Sequence, residues 1–125
     1  MELTPLKSGD RAMIQAYGDG GFRISGRRFT GAVMVFEDRV LSVALEDIAS
    51  IAAADFQPLE EAAVEIEILL LGCGEKAGVL PPEHRARLKG AGISAEVMGT
   101  GAACRTFNVL QAEGRRVAAL LIAVP

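Results

Sequence analysis

Few side chains in this sequence are equipped for chemistry. Two cysteines, Cys73 and Cys104, are candidate nucleophiles, and His84 is the one imidazole. The stretch CRTFNVLQAEGRRV gathers Arg105, Thr106, Asn108, Glu113, Arg115 and Arg116. Such residues serve as a catalytic site, as a docking face, or as the solvated side of a helix. A cysteine nucleophile needs a base within roughly 3 Å. His84 follows Pro82 on an expected helix, flanked by charged residues, and reads as a surface histidine. Cys104 falls in the first turn of an expected helix, where a thiolate is stabilised. It also sits beside Ala102 and Ala103, and a buried structural thiol is the favoured reading. One histidine, two distant cysteines and no paired carboxylate spacing argue against a metal site, and no cofactor is expected.

Two glycine-rich turns offer another kind of site. Gly72-Cys73-Gly74 and Gly99-Thr100-Gly101 each follow an expected strand, and in open parallel sheets ligands bind beyond the carboxyl ends of strands. The second turn opens a helix, whose free N–H groups and dipole favour an anion. If the two strands are neighbours, the turns face each other across a crevice lined by Gly72, Cys73, Gly74, Thr100, Arg105 and Asn108. The spacing Gly72, Gly74, Gly78 resembles a dinucleotide loop, but Pro81-Pro82 interrupts the cofactor helix and no acidic residue ends the next strand. Turning the chain is the favoured job for these glycines.

The elements that would position these groups follow from periodicity. Ala12–Gly18 and Phe22–Ser25 read as strands about the turn Asp19-Gly20-Gly21. Phe29–Phe36 and Arg39–Val43 read as a hairpin turning at Glu37-Asp38. Glu46–Ala54 reads as a short helix. Val64, Ile66 and Ile68 alternate with Glu65 and Glu67 before Leu69-Leu70-Leu71, which predicts a strand from Val64. Pro81-Pro82 opens a helix over Glu83–Lys89, with Gly90 and Gly92 as stops. Ile93–Met98 is the next strand. Thr100 is the expected N-cap of a helix over 100–113, with Ala103, Phe107 and Leu110 as its apolar stripe and Arg105, Thr106 and Gln111 opposite. Gly114 ends that helix and Val117–Val124 is the last strand. Arg115 and Arg116 begin it, so one of the two should approach the sheet interior or a helix end. Arg105, Asn108, Glu113 and Arg115 are expected to bind one another, with Thr106, Glu113 and Arg115 as a structural polar motif.

The result is an α/β chain. A C-terminal βαβαβ half builds a mixed central sheet, and an N-terminal antiparallel β-rich layer packs on it, three layers in a single domain over 1–125. The 125 residues suffice for a core without staples, and half are apolar. A net charge of −3, with no Lys/Arg block longer than two, gives no footprint for nucleic acid. Two cysteines form no disulfide framework and read as a reduced compartment. The N-terminal MELTPLKSGD lacks an apolar signal core, and the apolar runs fall short of the ~20 residues of a membrane helix. A cytoplasmic protein is expected, with peripheral contact at the inner membrane left open, as is its oligomeric state.

The stretch MGTGAACRTFNVLQAEGRRVAALLI is similar to the signature of the Mth938-like domain family. The family pattern is met at Thr100, Ala103, Thr106, Phe107, Asn108, Leu110, Glu113, Arg115 and Val117. An entry pattern is met at Tyr17, Phe22, Ile24, Gly31 and Val33, and LLLGCGEKAGVLPPE resembles the family's glycine turn. The chain departs at Cys73, where Thr is usual, and at Gly99, where Asp is common. The resemblance implies a three-layer domain with a mixed central sheet. It also implies a non-enzymatic role like that of a member that assembles respiratory complex I, with a protein partner in a respiratory or membrane complex. The alternative is a binder of small molecules or anions at Gly72–Gly74 and Thr100–Arg105.

Overall fold

The computed structural model describes residues 2–7 and 9–125. In chain order its strands are β1 (Glu2–Pro5), β2 (Ile14–Gly18), β3 (Gly21–Ile24), β4 (Arg27–Thr30), β5 (Ala32–Val35), β6 (Arg39–Val43), β7 (Ile68–Gly72), β8 (Ser94–Met98) and β9 (Val117–Leu121). The helices are α1 (Gln57–Glu61), α2 (Pro82–Gly90) and α3 (Thr100–Ala112). Six strands form a sheet in the order β1-β6-β5-β9-β7-β8, and β2-β3-β4 form a second, antiparallel one. In the larger sheet β7 runs parallel to β8 and β9, while β5 meets β9 antiparallel. The sheet is therefore mixed.

Alternation along its strands assigns each face a core, because successive side chains point to opposite sides. Val33 and Val35 of β5, Leu70 of β7, and Val117, Ala119 and Leu121 of β9 join Phe22, Ile24 and Phe29 of the small sheet and Ala103 and Phe107 of α3. Ala32 and Met34, Leu69 and Leu71, and Ala118 and Leu120 join Leu59 of α1 and Leu88 of α2 on the other face. Three layers result, with the six-stranded sheet in the middle. The crossover from β7 to β8 runs through α2 on one face. The return from β8 to β9 passes β7 through α3 on the other.

Several boundaries differ from the sequence expectation. Phe29–Phe36 is two strands: Gly31 has φ +83°, and the chain leaves the small sheet there to enter the large one. A positive φ is cheap only for glycine, and the apolar content of the run hides it. Glu46–Ala54 is not a helix but two 3₁₀ turns, Ile48–Ser50 and Ala53–Phe56. Asp47 accepts a hydrogen bond from Ser50 N (2.9 Å), and Asp55 accepts one from Ala52 N (2.7 Å). These short carboxylates hold turns where a helix would need backbone partners. Helix α1 follows at Gln57, unannounced by any stripe. The strand expected from Val64 starts at Ile68. Ala63–Glu65 is a 3₁₀ turn, and Val64 is 84% exposed, so its alternation with Glu65 reflects no sheet face. The short β1, paired with β6, carries only one buried side chain, Thr4, and left no readable period.

Candidate functional site

Strands β7 and β8 are neighbours, and their following loops leave toward opposite faces. This is a topological switch point, the position where open α/β sheets bind ligands. Here the chain's own groups fill it. Cys73 N donates to Met98 O (2.8 Å), and Thr100 N donates to Gly74 O (2.7 Å). The Thr100 hydroxyl accepts from Gly74 N (2.9 Å) and donates to Ile122 O (2.7 Å). Thr100 is wholly buried. It is the first helical residue rather than the cap, which is Gly99. At Gly72, a Cβ would meet Leu121 Cδ2 at 2.9 Å and the Thr100 Cα at 3.0 Å. Gly72 is thus a packing glycine that lets α3 lie against the end of β7.

Open space begins one step outward. A cleft of about 470 Å³ is lined by Tyr17, Gly74, Glu75, Gly101, Ala102 and Arg105, among others. A Cβ at Gly101 would lie 2.4 Å from the Tyr17 hydroxyl, so this glycine makes room for the phenol. Arg105 Nη1 donates to that hydroxyl at 3.4 Å, a long bond. Tyr17 was not among the expected site residues. Its sequence signals are its place in the family's entry pattern and its being the sole tyrosine of the chain.

The polar residues of α3 do not bind one another as expected. The Asn108 amide grips the main chain of β2: its Oδ1 accepts from Ile14 N (2.9 Å) and its Nδ2 donates to Ile14 O (2.8 Å). It stands in for a neighbouring strand, just before the bulge between Ile14 and Ala16. Thr106 donates to Ala102 O one turn back (2.8 Å). Arg115 leaves the helix and pairs with Glu67, and Arg116 donates to Val64 O (3.0 Å) while approaching Glu67 at 3.8 Å. Both arginines are exposed and precede β9, so neither enters the sheet interior. The Arg115 guanidinium holds the Glu67 carboxyl below the usual carboxylate range. Glu113 is exposed beyond the end of α3. Gln111, expected on the open side, is buried with Thr100, Ala103, Cys104 and Phe107, and its Nε2 has no partner among the described residues.

The cysteines are shielded. Burial pushes the Cys104 thiol up to about 12, which the neighbouring Arg105 offsets only in part. Burial also raises Cys73, whose thiol lies 3.8 Å from Leu71 O. The His84 ring stacks at a tilt on Phe56, centroids 5.2 Å apart. Among the described residues no group of three or more His, Cys, Asp or Glu could hold a metal. Nor is any helix among them long and apolar enough to cross a membrane.

The model of a family described as a protein of unknown function (DUF498/DUF598) matches residues 14–122. The chain belongs to this family. It is 34% identical over 113 residues to NADH dehydrogenase [ubiquinone] 1 alpha subcomplex assembly factor 3 of Danio rerio, covering 90% of this chain and 65% of that protein. The human protein of the same description is 31% identical over 128 residues, covering 100% of this chain and 68% of its own length. The chain thus spans about two-thirds of those relatives. A solution structure of a Mth938-like domain from Bordetella pertussis superposes with TM-score 0.81 at 30% identity, covering 98% of this chain and 92% of that one. A crystal structure described as an outer membrane protein of Bartonella henselae superposes with TM-score 0.87 at 40% identity, over 93% and 98% of the two chains. The fold is that of the Mth938-like domains.

Replacing Asn108 with Ala removes both bonds to Ile14 and leaves its N–H and C=O without their protein partner. Urea unfolding is expected to show a loss of about 1–3 kcal/mol. An unchanged midpoint would mean that water satisfies Ile14 as well as the amide does.

Proposed function

We propose that this chain is a non-catalytic assembly protein, which binds protein partners and helps to build a membrane-associated complex of the respiratory type. The observation that carries the reading is the likeness of nearly the whole chain to NADH dehydrogenase assembly factors. The chemistry of the chain supports it. Burial disfavours the thiolate at both cysteines, and Asn108 of α3 is engaged in fastening layers. What α3 leaves outward suits contact rather than catalysis. Val109, 57% exposed, lies one helical turn beyond Arg105, and Tyr17, 43% exposed, reaches that arginine. In this reading the protein works in the cytoplasm, peripherally at the inner membrane.

A second reading has one observation behind it. The cleft beside Tyr17 and Arg105 also borders Gly101 and Ala102 in the first turn of α3, where an anion is favoured. A thermal-shift series with orthophosphate and nucleotides separates the two. Stabilisation that disappears in Arg105→Ala supports an anion binder, and no shift removes that reading.

For the assembly reading, affinity capture of the tagged protein from its host, followed by mass spectrometry, is expected to recover respiratory or membrane-insertion components. Val109→Asp should deplete them while leaving the melting temperature unchanged. Recovery of no such component would contradict the proposal.

A further inference from the structure

The six-stranded sheet ends at β8, and this edge is only partly closed. Ser94 N donates to Glu67 O (3.0 Å) and Met98 O accepts from Cys73 N, so Ser94, Glu96 and Met98 direct their main-chain groups to the β7 side. In a parallel strand the direction alternates, which turns the groups of Ala95 and Val97 outward. One of these is capped: Arg85 of α2 reaches across and donates from Nη1 to Ala95 O (2.7 Å). Ala95 N–H and both groups of Val97 have no partner among the described residues. The edges at β1 and β2 are treated differently. At β1, Pro5 removes a donor, and at β2 the groups of Ile14 belong to Asn108.

Beside the open edge runs a groove of about 400 Å³, lined by Arg85, Lys89, Gly92, Ile93, Ser94 and Ala95. Arg87 on the same helix is already paired with Glu60, whereas no ion pair of Arg85 or Lys89 exists among the described residues. A strand laid against β8 would send alternate side chains toward α2, into this groove. Two cations there select carboxylates.

We propose that β8 is a docking edge for an extended, acidic segment of a partner protein, which adds as a seventh strand and exchanges the Arg85–Ala95 bond for an Arg85–carboxylate pair. The inference deepens the assembly reading and rests on it. A second copy of this chain is the poorer occupant. Antiparallel pairing of two β8 edges keeps both α2 helices on one face of the joined sheet, bringing Arg85 and Lys89 of one copy toward those of the other.

The test uses the whole protein and two capped peptides, one alternating valine with glutamate and the other valine with lysine. In a ¹⁵N NMR titration the acidic peptide is expected to shift the Ala95 and Val97 amides and slow their hydrogen exchange. The basic peptide should bind at least about tenfold more weakly. Arg85→Glu should reverse that preference, and Val97→Pro should abolish binding of either peptide, since a ring replaces an outward N–H. If Val97→Pro fails to fold, Arg85→Glu alone decides. No shift at Ala95 and Val97 at millimolar peptide, equal binding of both peptides, or the same shifts from protein concentration alone would each overturn the proposal. Capture of respiratory components by wild type and Arg85→Glu alike would refute the edge while sparing the assembly reading.

Discussion

The fold turns on one hydroxyl. Thr100 sits where β7, β9 and α3 meet, and its side chain bonds the loop after β7 and the chain just after β9 at once. Its backbone N–H, which a helix would otherwise leave free, goes to Gly74 O. A buried hydroxyl with both roles filled stabilises modestly, but a partner left unpaired is costly. The position therefore dictates its neighbours. Gly72 must lack a side chain for α3 to approach, and the crevice that the topology would open is closed from within. The open space lies one step outward, beside Tyr17, Gly74 and Arg105.

The polar residues of α3 extend the same logic to the other layers. Asn108 joins α3 to β2 over a sequence separation of 94 residues, through two bonds to one main-chain unit. Because an asparagine amide offers a donor and an acceptor side by side, it replaces a strand at a point where none is available. Glu67 collects Arg115 and Arg116 at the entry to β7 and β9. These pairs are exposed and contribute little energy, though they fix where two parallel strands begin. A helix that resembles a catalytic element by composition works here as a fastener between layers.

Much of this was legible in the sequence where period and punctuation agreed. The unbroken run Leu69-Leu70-Leu71, the glycine stops and the stripe of Ala103 and Phe107 yield β7, α2, β8, α3 and β9 in the right order. The residues that failed are those whose conformation depends on distant partners. Gly31 divides an apolar run because two sheets compete for it. Val64 mimics a strand beside a real one. Gln111 is buried although its type suggests the surface. Arg105, Asn108 and Arg115 were expected to bind one another, but their partners, Tyr17, Ile14 and Glu67, lie 88, 94 and 48 residues away, and no local pattern encodes that pairing. The entry pattern names Tyr17, but only the fold brings it over Gly101.

Structure occupies the switch point, with Thr100 as its fixed element. Thr100→Val tests it most directly, since valine keeps the shape and removes both side-chain bonds. Urea unfolding of this variant is expected to show a loss of about 2–4 kcal/mol, largely restored in Thr100→Ser, with amide exchange accelerating first at Gly74 and Ile122. Stability within about 0.5 kcal/mol of wild type, with Gly74 and Ile122 still protected, would contradict it.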